Sequence, residues 1–354
     1  MNAKTRTATF FALLSAALYA INVPLSKLLL GYAAPSMMAA FLYLGAGIGM
    51  LSCGLACKYS GKTKPAELLT VKELPYTIAM IVLDIAAPIL LMLGLTMTSS
   101  ANASLLNNFE IVATSLIAFF VFREVISRHL RIALILVVLS SIILGYEGSG
   151  SFLFNKGSLL VLGACICWGI ENNCTRKLSS KSSAEIVIIK GIFSGLGSLI
   201  VAFICGEPLP QLQWILIILL LGFVSYGLSI NFYILAQKDL GAAKTGAYYA
   251  AAPFIGVLFS LVILGERPAF QFYIGLAVML AATVFIIRDT VTLQHDHPHT
   301  HTHTHEHLHD GVAHTHEHTH THTHLHTHGE DESTHTHAHH VLEEHTHTHE
   351  EISP

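Results

Sequence analysis

Asp84 and Glu110 lie near the centres of long apolar runs, and Glu171 and Lys190 lie inside two further runs, at similar distances from the ends that adjoin. A charge at the middle of a bilayer costs at least ~2.5 kcal/mol on insertion scales, so each such group needs a partner or a wet cavity. Asn107 stands one helical turn before Glu110 with Asn108 beside it, a polar patch suited to a cation or an amine. Protonation is the least costly way for these carboxyls to stay buried, which also suits coupling to protons. Asn172 and Asn173 follow Glu171 in one run, and Lys190 lies at a similar depth in the next. Consecutive antiparallel helices bring Glu171 and Lys190 together as an ion pair, either a latch or plain neutralisation of two buried charges. Asp84, Asn107, Glu110, Glu171, Asn172, Lys190 and Tyr249 form the candidate binding set, with Asn22, Asn231 and Tyr248 as further wall residues. The bland alternative for each is a satisfied hydrogen bond between helices.

A second kind of chemistry is concentrated at the C-terminal end, where every histidine except His129 lies at or after His295. His299, His301, His303 and His305, then His314, His316, His318, His320, His322 and His324, alternate mainly with threonine. Neutral imidazole ligates zinc, nickel, cobalt and copper, so the tail is expected to bind divalent metal. With no apolar face to bury, residues 289–354 are expected to be disordered. The interrupted pattern differs from an expression tag.

The elements that position these residues are membrane helices. Hydrophobic residues make up 52% of the chain and charged ones only 12%, which excludes a soluble multidomain protein. Runs long enough to cross the hydrocarbon core fall at 8–30, 36–57, 74–95, 100–122, 130–147, 157–176, 185–205, 212–235, 243–264 and 270–287,. No segment alternates as a barrel strand would, so the fold class is all-α and polytopic. Lys4 and Arg6 precede a first run too long for a signal peptide, which is read as a retained span,. Six cysteines in or beside apolar runs read as packing residues,. Gly45 with Gly49, and Gly191 with Gly195, have the small-residue spacing that lets helices approach within one bundle,.

Residues 100–127 and 242–269 read as two copies of one unit, each an apolar helix running into a glutamate, Glu124 or Glu266, and a basic residue. Five spans per half is an odd number, so the second half enters with opposite polarity, the arrangement of secondary transporters. The halves are 1–147 and 148–288. Charge supports the count: fifteen of nineteen lysines and arginines fall on the side shared by both termini, and the opposite loops keep only Lys156 and Arg267. By the bias of cytoplasmic loops, both termini are cytoplasmic. No nucleophile, phosphate loop or nucleotide motif appears, so neither an enzyme nor an ATP-driven pump is expected, and no nucleic acid partner.

Leu264-Gly265-Glu266 after the mid-helix Pro253 resembles the EamA repeat of the drug/metabolite transporter superfamily. Trp168-Gly169, answered by Tyr19-Ala20, is similar to the aromatic-glycine pair that opens that repeat. The likeness covers about residues 8–287 and implies a ten-helix carrier moving small organic solutes by alternating access, often outward. The first half departs from the pattern, with Glu110-Ile111 where the second has Ala252-Pro253, and Phe122-Arg123-Glu124 in place of Leu-Gly-Glu. Its share of the cavity is thus more acidic than the usual one. The expected activity is carriage of an amino-acid-like or cationic metabolite across the cell membrane; the alternative is a nickel, cobalt or zinc transporter whose tail gathers the metal. A third reading is a metal-buffering membrane protein without transport, against which the paired repeats argue. No cofactor is required, the partners are lipid, solute and metal at the tail, and the protein is a monomer or homodimer.

Overall fold

The computed structural model describes residues 3–59, 69–123, 126–146, 155–178, 181–309 and 312–327. Thirteen helices among them build ten spans. Span one is α1 (Ala3–Ala20) continued by α2 (Asn22–Leu29), and α3 (Pro35–Tyr59) and α4 (Leu74–Met97) follow. Span four is α5 (Ser100–Leu106) with α6 (Phe109–Phe122), followed by α7 (Arg128–Gly145), α8 (Lys156–Lys177) and α9 (Ser183–Ile204). Span eight begins with α10 (Leu212–Gly222) and a π-helical turn at Phe223–Leu228, then enters α11 (Ser229–Tyr249). Span nine ends in α12 (Ala252–Ile263), and α13 (Phe270–Leu293) is the tenth.

Nine of the described helical stretches are long and apolar enough to cross a membrane by length and composition. The remaining one, α8, carries Glu171, Asn172, Asn173 and two terminal bases, and its neighbours supply partners for Glu171, Asn172 and Asn173.

The sequence predicts a loop between spans eight and nine, but helical hydrogen bonding runs unbroken through α11. Sixteen residues of straight helix would separate Tyr233 from Tyr249 by about 24 Å. Their ring centroids lie 5.2 Å apart, so the chain reverses inside α11 at a tight helical corner and the two spans remain antiparallel.

Three spans break in mid-membrane. Pro24 has no N–H for the carbonyl four residues back, and span one breaks at Ile21; Pro253 does the same to span nine at Ala250 and Ala251,. Span four breaks at Asn107 and Asn108 without a proline. There the Asn108 side chain donates to the Leu105 carbonyl at 3.2 Å, a local bond that competes with the helix. Pro88, by contrast, is accommodated within an uninterrupted α4.

Packing follows the repeat. α4 lies along α8 as α11 lies along α1, while α3 with α9, α5 with α12 and α7 with α13 pair each span with its counterpart in the other half. The fold is all-α and polytopic, two inverted five-helix repeats. The glycines serve close approach inside this bundle: a Cβ on Gly191 would stand 2.5 Å from the Gly47 backbone, and one on Gly157 would stand 2.8 Å from the Gly94 carbonyl. The outer faces expose large apolar side chains, among them Phe120, Val262 and Phe270, as a surface turned to lipid requires.

Beyond α13, composition predicts disorder, whereas the backbone of β1 (Gln294–His309) and β2 (Val312–Thr327) pairs as an antiparallel ribbon. The register sets His299 opposite His322, His301 opposite His320, His303 opposite His318 and His305 opposite His316, with His314 opposite His307 and His324 opposite His297. Thr300, Thr302, Thr304, Thr315, Thr319, Thr321, Thr323 and Thr327 favour extended backbone even without a core,.

Candidate functional site

The breaks of spans four and nine open onto a cavity of about 350 Å³ between the halves, and the break of span one lies two residues beyond Tyr19 in its wall. Its lining includes Asn107, Asn108, Glu110, Glu171, Asn172, Lys190 and Tyr249 from the candidate set, with Tyr19, Tyr43, Trp168, Tyr226 and Pro253. The lining residues of α8 and α9 lie nearer the termini side of their helices, whereas Tyr43, Asn107 and Glu110 lie nearer the opposite ends of theirs, so the cavity lies near the middle of the bundle.

Glu110 sits at the start of α6, just past the break, and accepts a 2.6 Å bond from Asn172 Nδ2, which also reaches Thr114 Oγ1 at 3.3 Å. The next residue, Asn173, bonds the Thr114 and Gly169 carbonyls. Asn107 Oδ1 is buried with no hydrogen-bond partner. An orphan acceptor and a carboxylate held by an amide are fitted to an incoming donor, because an unmet buried acceptor costs about 1–3 kcal/mol.

Glu171 and Lys190 do meet, at 3.0 Å. Asp84 joins them from the other half, its Oδ2 3.0 Å from the same ammonium, a charge contact whose angle lies outside hydrogen-bond geometry. Asp84 is fully buried behind the cavity wall. Tyr43 Oη donates to its Oδ1 at 2.9 Å, Trp168 Nε1 donates to Tyr43 Oη at 3.4 Å, and Thr175 Oγ1 donates to Glu171.

A row of tyrosine rings, marked by no motif in the sequence, runs along the cavity from Tyr43, which touches Asp84, to Tyr249, with Tyr233 just outside the lining. Tyr43 and Tyr226 are 5.4 Å apart, Tyr226 and Tyr19 6.1 Å, Tyr19 and Tyr249 5.7 Å, and Tyr249 and Tyr233 5.2 Å. Asn22 stands behind this wall, outside the lining, and donates to Tyr226 Oη at 2.9 Å. Tyr248 and Asn231 stand outside the lining. These tyrosines come from α1, α3, α11 and the π-helical turn, and only their shared aromatic type hinted at a common surface.

On the side away from the termini, carboxylates cross between the halves. Glu266 accepts from the Ser100 and Ala101 amides at 2.7 and 2.8 Å, and Glu207 from the Ser36 and Met37 amides at 3.2 and 2.9 Å. Lys27 donates to the Leu95 and Thr98 carbonyls at the end of α4. Each charge matches the helix end it meets. Glu124, the repeat partner of Glu266, lies outside the described residues.

Among the described residues no group of three or more histidines, cysteines and acids is arranged to hold a metal ion. Cys165 is buried, its thiol facing the Leu106 carbonyl at 3.5 Å. The tail histidines belong to residues whose side chains are not described.

The model of the EamA-like transporter family matches residues 6–146 and again 155–288. An uncharacterized transporter of Methanothermobacter thermautotrophicus is 27% identical over 301 residues, covering 79% of this chain and 84% of the relative. A crystal structure superposes with a TM-score of 0.56 at 19% identity, covering 78% of this chain and 94% of the other. That last likeness concerns the fold alone.

Proposed function

The chain belongs to the EamA-like transporter family, and on that footing we propose that it is a secondary carrier of a small amine-bearing metabolite, amino-acid-like or cationic. Transport is by alternating access, as export or exchange across the cytoplasmic membrane, with both termini inside. The observation that carries this reading is the cavity itself, which Glu110 lines together with a row of tyrosines. A carboxylate supplies the counter-charge for an ammonium, and aromatic faces attract a cation and cover its apolar body. The volume suits a solute of metabolite size. The broken helices give each half a place to bend on either side of the bound solute.

A divalent-metal carrier is the competing reading, favoured by the histidine-rich sequence after His295. Metal at His299–His305 and His314–His324 is compatible with both readings, since the tail lies outside the membrane bundle. In the cavity, Lys190 occupies the position between two acids where a metal would sit, which favours the organic solute.

The test is flux in vesicles carrying the full chain or a chain ending at residue 288, with amines, amino acids, Ni²⁺, Co²⁺ and Zn²⁺ offered in parallel. Amine or amino-acid flux that survives truncation supports the proposal. Metal flux without organic flux overturns it.

A further inference from the structure

Lys190 has a feature that charge neutralisation alone does not require: its ammonium is carried at the end of a long stem that lines the cavity. Asp84 on α4 and Glu171 on α8 come from different halves and both lie 3.0 Å from Nζ. Each carboxylate also has a neutral donor of its own, Tyr43 for Asp84 and Thr175 for Glu171. The backbone beside the lysine is fixed, because Gly191 packs against Gly47 too closely to admit even a methyl group. The stem is flexible, lines the cavity and keeps 21% of its side-chain surface exposed. Two acids share one cation, so removing the ammonium would leave two buried negative charges, Glu171 at the cavity lining and Asp84 behind it.

We propose that Asp84 and Glu171 form a second ammonium site, distinct from Glu110, and that Lys190 is a tethered stand-in for cargo at that site. With the cavity empty, the lysine supplies the positive charge the carboxylates need before the halves close over them. The unloaded carrier therefore returns across the membrane, and net flux does not depend on a counter-solute. The return step rests on the alternating-access reading above, whereas the ammonium site stands without it.

The test is chemical rescue in purified full-length protein, in a Glu110→Gln background so that the other cavity carboxylate cannot respond. Lys190→Ala should melt at a lower temperature than its parent. Millimolar n-propylammonium should raise its Tm by about 2 °C or more and leave the parent unmoved; tetramethylammonium at equal ionic strength, lacking N–H donors, should not reproduce the rise. The Asp84→Asn, Glu171→Gln, Lys190→Ala triple variant should fold and ignore both amines. No rise in Lys190→Ala, an equal rise with tetramethylammonium, or an equal rise in the triple variant overturns the site. So does a failure of both Lys190→Ala and the triple variant to fold, since the lysine is then structural.

Reorientation is read separately in liposomes free of solute, with the native cysteines replaced and a cysteine put at Ala250. Labelling by an impermeant maleimide from the side away from the termini should fall at least ~tenfold with Lys190→Ala and recover with n-propylammonium. Unchanged labelling overturns the stand-in role. Rescue of Tm with no far-side labelling even in the Lys190-containing protein would instead break the alternating-access reading and leave the ammonium site intact.

Discussion

Glu110 has an amide donor and no cation against it among the described contacts, which is where its chemistry and its vulnerability coincide. Glu110→Gln keeps the shape of the site and removes its charge. Flux should drop about tenfold or more, the worth of a charge-assisted hydrogen bond, while the melting temperature stays within a degree or two. Vesicle flux alongside thermal denaturation checks both halves of that expectation. Tyr43→Phe is the opposite case: it strips Asp84 of its hydroxyl donor at a fully buried position, so stability should fall by about 1–3 kcal/mol, read by denaturation. The charged members of the site were legible from sequence because an ionisable group in an apolar run is conspicuous. Asp84 sharing Lys190 was not legible, because its partner stands over a hundred residues away on a helix whose rotation the apolar pattern leaves open. The tyrosine wall escaped for a related reason, since aromatic residues are ordinary in membrane helices and nothing along the chain marks those that converge.

At the scale of elements, the helix ends matter as much as the helices. Glu266 bonds two free amides at the start of α5 from the other half of the molecule. Glu266→Ala should cost roughly 0.5–2 kcal/mol, as other lost helix caps do, and thermal melting of the purified protein measures it; an unchanged Tm would show that water replaces the carboxylate at no cost. A cap from the repeat glutamate could be guessed from its place after an apolar helix, but which helix it reaches depends on how the halves interlock. Close approach gives a sharper expectation. Gly191→Ala puts a methyl against the Gly47 backbone, and overpacking of that kind costs about 1–3 kcal/mol. The small-residue spacing was readable in the sequence, whereas the exact facing pairs were not. The breaks divide the same way: two follow from prolines, and the one at Asn107 and Asn108 comes from side-chain bonding that apolar periodicity cannot reveal.

For the whole molecule, ten spans return both ends of the chain to one side, and reporter fusions at Met1 and Pro354 should give the same sidedness. The span count was legible because length and hydropathy dictate it, with the helical corner inside α11 as the exception: no glycine-rich or proline-rich loop separates those spans. The one span that hydropathy alone does not pass, α8, has a consequence for how the protein is made. As the chain emerges from the ribosome, Glu171 reaches the insertion machinery nineteen residues before Lys190, and an unpaired charge within a helix weighs against partition into lipid. The sixth helix therefore has to linger at the translocon until the seventh arrives and the pair enters together. A nascent chain stopped at residue 178 should leave that helix unintegrated in a glycosylation-mapping assay, one stopped at residue 211 should integrate it, and the order of synthesis becomes part of what decides the fold.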